Sequence, residues 1–378
     1  MRAAFRETLR AILADKAVMT LVFISVILYS FLYPQAYRGE VAARIPVIVV
    51  DLDHSAMSRA LLIRANATRQ VEITAQADSP AAALAALKRQ QASVIVVIPD
   101  DFEKRILQGR QGVVRLFGNG AYLLRSSTAL AGVAAAFATV GVDAATSQAM
   151  AQGAPAASPI AVASRPLFNL GEGYGSSSIP AVAQIVVHQT LLMGLVMLAA
   201  TRRERLGRLA FRPSALAGVA AAFLLIGLVN ILYFEGFAFW LQGYPRAGTL
   251  ASLLGAAALF SAAIVALALF LASFFTVRER AVQLWISTSL PIFFLAGISW
   301  PAEAMPRPLA WLALLLPTTP GINLMIEVGQ MGATLSETWR QVANLLVITV
   351  AYGALAVIRL RPRPADETPD AGNAAAAI

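Results

Sequence analysis

The chain has 378 residues, of which 58% are hydrophobic and only 13% charged, with a mean hydropathy of +0.67 and a formal net charge of +9. That balance excludes an ordinary soluble domain. The basic residues sit at the ends of apolar runs instead of forming one patch, which excludes nucleic acid as a partner. No cysteine is present, so disulfides and thiolate metal ligands are excluded as well.

The first residues pattern as an amphipathic helix over 1–16, with Phe5, Leu9, Ile12 and Leu13 on one face and Arg2, Arg6, Glu7 and Arg10 elsewhere. Such a helix lies on a membrane surface, or serves as a basic flank that orients the span after it. An uncharged run follows over 17–37, long enough to cross a bilayer. It exceeds the apolar core of a signal peptide, roughly 7 to 15 residues, and no small-residue cleavage site follows before Arg38. It reads as a retained first span.

From Ile45 the pattern changes to β-branched runs alternating with helical ones. Pro46–Leu52, Val71–Thr74, Ser93–Ile98 and Val113–Phe117 read as strands; Ser55–Arg69 and Ser79–Gln90 read as helices capped by their serines, and Asp100 or Asp101 caps another toward Gln108. Strands alternating with helices predict a small α/β domain with a largely parallel sheet. An Ala-rich helical stalk runs from Gly120 to Met150, and a linker rich in Gly, Pro, Ser and Ala runs from Gly153 to Ser178. The extramembrane domain with its stalk and linker thus occupies 38–178.

The remaining spans read Ile179–Ala200, Ser214–Leu241, Thr249–Val277, Ala281–Ser299 and Val342–Val357, filling 179–360. Between the last two, over 301–340, Pro301, Pro306, Pro308, Pro317 and Pro320 break up apolar pieces too short to cross, which predicts interfacial or re-entrant structure beginning near Gly297. A tail over 361–378 reads as disordered. The predicted class is a polytopic α-helical membrane protein with six transmembrane helices and an α/β domain inserted between the first and second.

Basic residues crowd one set of connections: Arg2, Arg6, Arg10 and Lys16 before the first span; Arg202, Arg203, Arg205, Arg208 and Arg212 between the second and third; Arg278 and Arg280 between the fourth and fifth; and Arg359, Arg361 and Arg363 after the last. The opposite short connections hold only Arg246, Arg307 and Arg340. By the positive-inside rule both termini are cytoplasmic and the large domain lies on the far side.

Chemistry is sparse. No G-x-x-x-x-G-K loop occurs, and the two histidines, His54 and His188, are too few for a histidine metal cluster. Asp51, Asp53 and His54 follow a strand and read as turn and cap chemistry. No spacing supports a hydrolase. Within the spans, Gln184, His188 and Gln189 fall on the second and Glu235 on the third. An ionisable side chain at that depth is costly in lipid, so these residues face other helices, a substrate route or a dimer seam.

The stretch LAGISWPAEAMPRPLAWLALLLPTTPGI from Leu295 resembles the segment near the fifth span of type-2 ABC-transporter permeases. PVIVVDLDHSAMSRAL from Pro46 and VIVVIPDDFEKRILQG from Val94 are similar to the extramembrane domain of the long-domain exporter branch, and RPLFNLGEGYGSSSIPA from Arg165 to its approach to the second span. The resemblance implies a permease with no bound cofactor, located in the bacterial inner membrane with its large domain in the periplasm. It implies a separate cytoplasmic ABC ATPase subunit carrying ATP and Mg, a second permease copy (a homodimer or close paralogue), membrane lipid around the spans, and a periplasmic adaptor as a further partner. It places the ATPase contact on a short helix between the second and third spans, at RRERLGRLAFRP within 201–213. There Arg202, Arg203, Glu204, Gly207 and Arg208 are the coupling candidates; Glu204 and Gly207 match the family's acidic residue and Gly, while Arg208 stands where a Thr is usual. A membrane-anchored receptor or assembly scaffold without transport is the alternative reading, and a tethered enzyme lacks any catalytic constellation.

Overall fold

The computed structural model describes residues 1–38, 42–151, 167–169, 173–298, 300 and 304–362. Pro301, most of the linker 153–178 and the tail from Arg363 lie outside the described residues. The chain divides into two compact units: Met1–Arg38 with Pro166–Ile378, and Gly39–Arg165.

The second unit is built on a four-stranded sheet of order β2-β1-β3-β4, with β1 Ile45–Asp51, β2 Val71–Gln76, β3 Val94–Ile98 and β4 Arg115–Gly118. β1 runs parallel to both β2 and β3, while β4 is antiparallel to β3. Alternate side chains of the central strands enter two separate cores. Val47, Val49, Val94 and Val96 pack with Leu61 and Leu62 of α1 (Ala56–Asn66), whereas Ile48, Val50, Ile95 and Val97 pack with Ala83 and Ala86 of α2 (Pro80–Lys88). Burial on both faces is why β1 and β3 are apolar throughout instead of alternating. The expected largely parallel α/β arrangement is present, with strand ends shifted by one or two residues.

Ser55 and Ser79 cap their helices, accepting from the N–H of Ser58 at 3.0 Å and of Ala82 at 3.2 Å. Asp101 occupies the cap position of α3 (Phe102–Leu107), yet its carboxylate does not cap; it lies 3.6 Å from Arg105. The expected role is filled from the turn after β1, where Asp53 accepts the Glu103 N–H at 3.2 Å. Asp51 accepts from the N–H groups of Asp53 and His54, both at 3.1 Å, and from the Ser58 hydroxyl at 2.7 Å, so this acidic turn is spent on local hydrogen bonds. The Ala-rich helix α4 (Leu123–Ala151) lays Ala129 and Val133 on the sheet core.

The first unit is helical. α5 (Arg2–Ala14) leads to α6 (Lys16–Ala36), followed by α7 (Tyr174–Leu206), α8 (Pro213–Gln242), α9 (Leu250–Ala272), α10 (Arg278–Leu295), α11 (Arg307–Leu314), α12 (Thr318–Gly329) and α13 (Trp339–Arg359). α5 buries Ala4, Thr8 and Ile12 and packs along α8, while Leu13 is 64% exposed. The buried stripe is therefore rotated from the expected Phe5–Leu9–Ile12–Leu13 face. Small Ala4 and Thr8, whose hydroxyl is satisfied by the Ala4 carbonyl at 2.7 Å, allow closer approach than Leu13 does.

α7 is the central helix. Its 33 residues reach about 50 Å, longer than the ~30 Å hydrocarbon layer, and 78% of its most apolar window is buried. Among the described residues, six helices are long and apolar enough to cross a membrane: α6, α7, α8, α9, α13 and Leu124–Thr146 of α4. The number six agrees with expectation, but the membership differs. α10 carries Arg278, Glu279 and Arg280 in its first turn and continues without a charged residue to Leu295, inside the expected span Ala281–Ser299. Conversely, α4 has span-like composition, yet its Ala129 and Val133 lie in the sheet core. α11 and α12 are bent by 75° and make a broken or re-entrant element within the expected 301–340 segment. Pro306 and Pro317 precede its two helices, Pro320 is buried in the first turn of α12, and Gly297, at φ +79°, follows α10.

α12 enters the helix core at Gly321, where an added Cβ would overlap the Phe260 ring of α9. Gly321→Ala should therefore cost about 1–3 kcal/mol through overpacking. Combined with Phe260→Leu it should cost less than the sum of the two single changes, read as unfolding midpoints of the detergent-solubilised protein; strict additivity would mean that the two residues do not share this contact.

Candidate functional site

Two polar constellations stand out in the helical unit. The first lies at its arginine-rich end. Helix-favouring Arg-Arg-Glu-Arg-Leu lets α7 continue to Leu206, and the first break is Gly207, in the left-handed region at φ +72° where other residues are strained. The expected short helix within 202–213 is thus the last turn of α7 followed by non-helical chain. Beyond the break, Leu209 and Phe211 turn inward, the Phe211 N–H donates to the Leu360 carbonyl at 2.8 Å, and the Arg202 guanidinium lies 4.8 Å above the Phe211 ring.

Arg203 and Glu204 clamp the α9–α10 connection from opposite sides. Arg203 Nη1 donates to the carbonyls of Ser273 at 3.1 Å and Phe275 at 3.2 Å, oxygens left without helical partners where α9 ends. Glu204 Oε1 accepts the Arg278 N–H at 2.9 Å, one of the orphan donors where α10 begins. The Arg278 guanidinium reaches Asp15 through two hydrogen bonds of 2.6 and 2.9 Å and the Thr201 hydroxyl at 3.1 Å. Asp15 also caps α6, accepting from the N–H groups of Ala17 and Val18, both at 3.1 Å. Arg359 at the end of α13 donates to the Ser273 hydroxyl at 2.8 Å and stacks 4.0 Å over Phe274. One network joins the ends of five helices.

Charged hydrogen bonds hold the Asp15 carboxyl below its ordinary range, the Arg278 guanidinium being the largest cause, and the same contact raises Arg278. A cleft of about 670 Å³ opens beside the network, between α5 and α7, with Arg10, Arg202 and Arg205 facing Glu7 over an apolar floor of Leu198 and Leu206. Glu204, Arg205, Gly207 and Arg208 are solvent-exposed.

The second constellation lies inside the helix bundle. Gln184 Nε2 donates to Glu235 Oε1 at 2.9 Å, and both side chains are buried. Glu235 projects from a π-helical segment, Tyr233–Ala238 in α8, and Gly329 of α12 backs onto its carboxylate. His188 is buried one turn along α7 from Gln184, with Nε2 3.4 Å from the Thr318 hydroxyl and its ring parallel to Phe260 at 6.5 Å. Gln189 is one position further round the helix and half-buried, outside this group. The structure therefore joins Gln184 and Glu235 between α7, α8 and α12 of a single chain, with His188 one turn away on α7 against Thr318 and Phe260.

Sequence reasoning did not single out Asp15, Thr201, Ser273 or the roles of Arg278 and Arg359 in this network. Asp15 just before the first span carried a readable cap signal. The other partners are far apart in the chain and have no local signature.

A family model described as ABC-2 family transporter protein matches residues 16–358. No curated protein matches the chain.

Because its carboxyl is depressed in the folded state, Asp15 contributes stability that is present above the ordinary carboxylate range and is lost as pH falls through the folded value. Asp15→Asn should lower stability by about 1–2 kcal/mol at neutral pH, a modest figure because both partners keep some contact with water. The gap from wild type should close on acidification, as followed by thermal unfolding across pH; a gap that is constant with pH would deny the ion pair its role.

Proposed function

The chain belongs to the ABC-2 family of transporter proteins, and from that membership we propose that this ABC permease is the transmembrane subunit of an exporter. A multi-pass membrane subunit of this family works with an ABC ATPase, which supplies the hydrolysis; bond-making is not this chain's task. In the proposed arrangement two permease copies meet in the bacterial inner membrane with both termini cytoplasmic and the α/β unit in the periplasm, where it passes substrate outward and docks an adaptor.

The observation that carries the coupling role is the clamp made by Arg203 and Glu204 on the α9–α10 connection. A push on the exposed end of α7 reaches α6, α9, α10 and α13 through this network without passing through lipid. Arg202, Gly207 and Arg208 complete the surface offered to the ATPase, beside the cleft under α5. Such coupling is a bias on how rigid helices pack, the form that alternating access requires. Gln184, His188 and Glu235 are the groups whose partners change as α12 and α8 move against α7, so they border the proposed route.

Glu204→Lys removes the acceptor for the Arg278 N–H and places a cation at the positive end of α10. It should abolish permease-stimulated ATP hydrolysis in reconstituted liposomes by tenfold or more, whereas Glu204→Gln, which keeps an acceptor oxygen, should retain most of it. Equal stimulation in both variants would reduce the segment to a topology signal.

Reporter fusions after Arg208, Arg280 and Arg361 should report cytoplasm, and fusions near Asp100 and Arg307 the opposite side. A cytoplasmic reading at Asp100 would overturn the proposed orientation.

A further inference from the structure

The α/β unit contains a cleft of about 570 Å³ between α1, α3 and α4, within the size range of sites for small amphiphilic ligands. Its walls are Leu61, Phe102, Ile106, Val114, Phe137 and Val140. Small residues on the facing stripe of α4, Ala134, Gly141 and Ala145, leave the space that larger side chains would fill. Arg110, exposed on the loop after α3, is the one ionic side chain among the described lining residues. The nearby Glu103 carboxylate is turned to the Met57 N–H at 3.2 Å, at the start of α1. Leu107 and Val113 beside the loop are 77% and 46% exposed, extending the apolar surface past the mouth.

An apolar cleft with a single cation at its edge matches one kind of molecule: an aliphatic chain with one anionic headgroup. A docked protein helix would bring two rows of polar groups to a rim whose described lining offers only the polar side chains of Arg110 and Gln111. We propose that this cleft binds a single-chain anionic amphiphile, the chain lying between α1, α3 and α4 and the headgroup held by Arg110. The inference rests on the α/β unit alone, so its failure leaves the permease reading standing.

The test uses the full-length protein in phosphatidylcholine nanodiscs with a diazirine-bearing palmitate, compared with the same diazirine chain carrying a trimethylammonium head. Cross-linked peptides should fall within 102–116 and 134–145 and be at least tenfold more abundant for the carboxylate probe. Arg110→Glu should remove that preference, and Ala134→Trp, filling the cleft from an exposed position, should abolish labelling there. Both positions are exposed, and an unchanged unfolding midpoint checks that the variants fold. Equal labelling by the two probes, labelling that survives Ala134→Trp, or no labelling of these segments would overturn the proposal.

Discussion

A backbone group freed by a helix end or break at membrane depth has no water to turn to, so the protein must supply its partner. The helical unit is organised by that requirement. Even at the solvent-exposed arginine-rich end the freed groups are met by side chains, the α9 terminus by Arg203, the α10 start by Glu204 and the α6 start by Asp15. The π-helical turn in α6, Thr20–Ile24, frees the Val22 carbonyl, and Asn230 of α8 donates to it at 3.0 Å. At the far end of α10, Thr319 donates to the Leu295 carbonyl at 3.0 Å; where α12 stops, Gly329 accepts from Ala247 and Gly248, and Gln330 donates to the Ser176 carbonyl at 3.0 Å.

The same requirement ties motion to chemistry. α12 is held to its neighbours by polar contacts at both ends and by close packing at Gly321 and Gly329 in between. A partial shift of a broken helix fixed in this way would strand several donors at once. The buried pair Gln184–Glu235 sits where the π-segment of α8 meets α7 and α12.

How much of this was legible in the sequence depended on whether the signal was local. β1 and β3 are short β-branched runs bounded by polar residues, and Ser55 and Ser79 stand directly before helical patterns, so strands and caps were readable within a residue or two. The spans were harder, because hydropathy records composition and not what covers it. Leu124–Thr146 is as apolar as a span yet rests on the sheet through Ala129 and Val133. The rotation of α5 was invisible for a related reason: its buried stripe was chosen by how closely Ala4 and Thr8 approach α8, not by which residues are most hydrophobic. Gln184, His188 and Glu235 were conspicuous as polar groups in apolar runs, but only the fold reveals that Gln184 pairs with Glu235 while His188 turns to Thr318 and Gln189 stands apart.

The arginines carry the final step. As a group they are the charge signal that the positive-inside rule reads, a property of their number and position. Individually they divide by environment: Arg203, Arg278 and Arg359 are committed to carbonyls, a carboxylate, hydroxyls and a ring, whereas Arg10 and Arg205 line an open cleft with Leu198 and Leu206. Replacing Arg278 by lysine preserves the charge but not the planar fork that holds both oxygens of Asp15 at once. The structural and topological contributions of these residues are therefore separable by chemistry, even though composition alone merges them into a single count of positive charge.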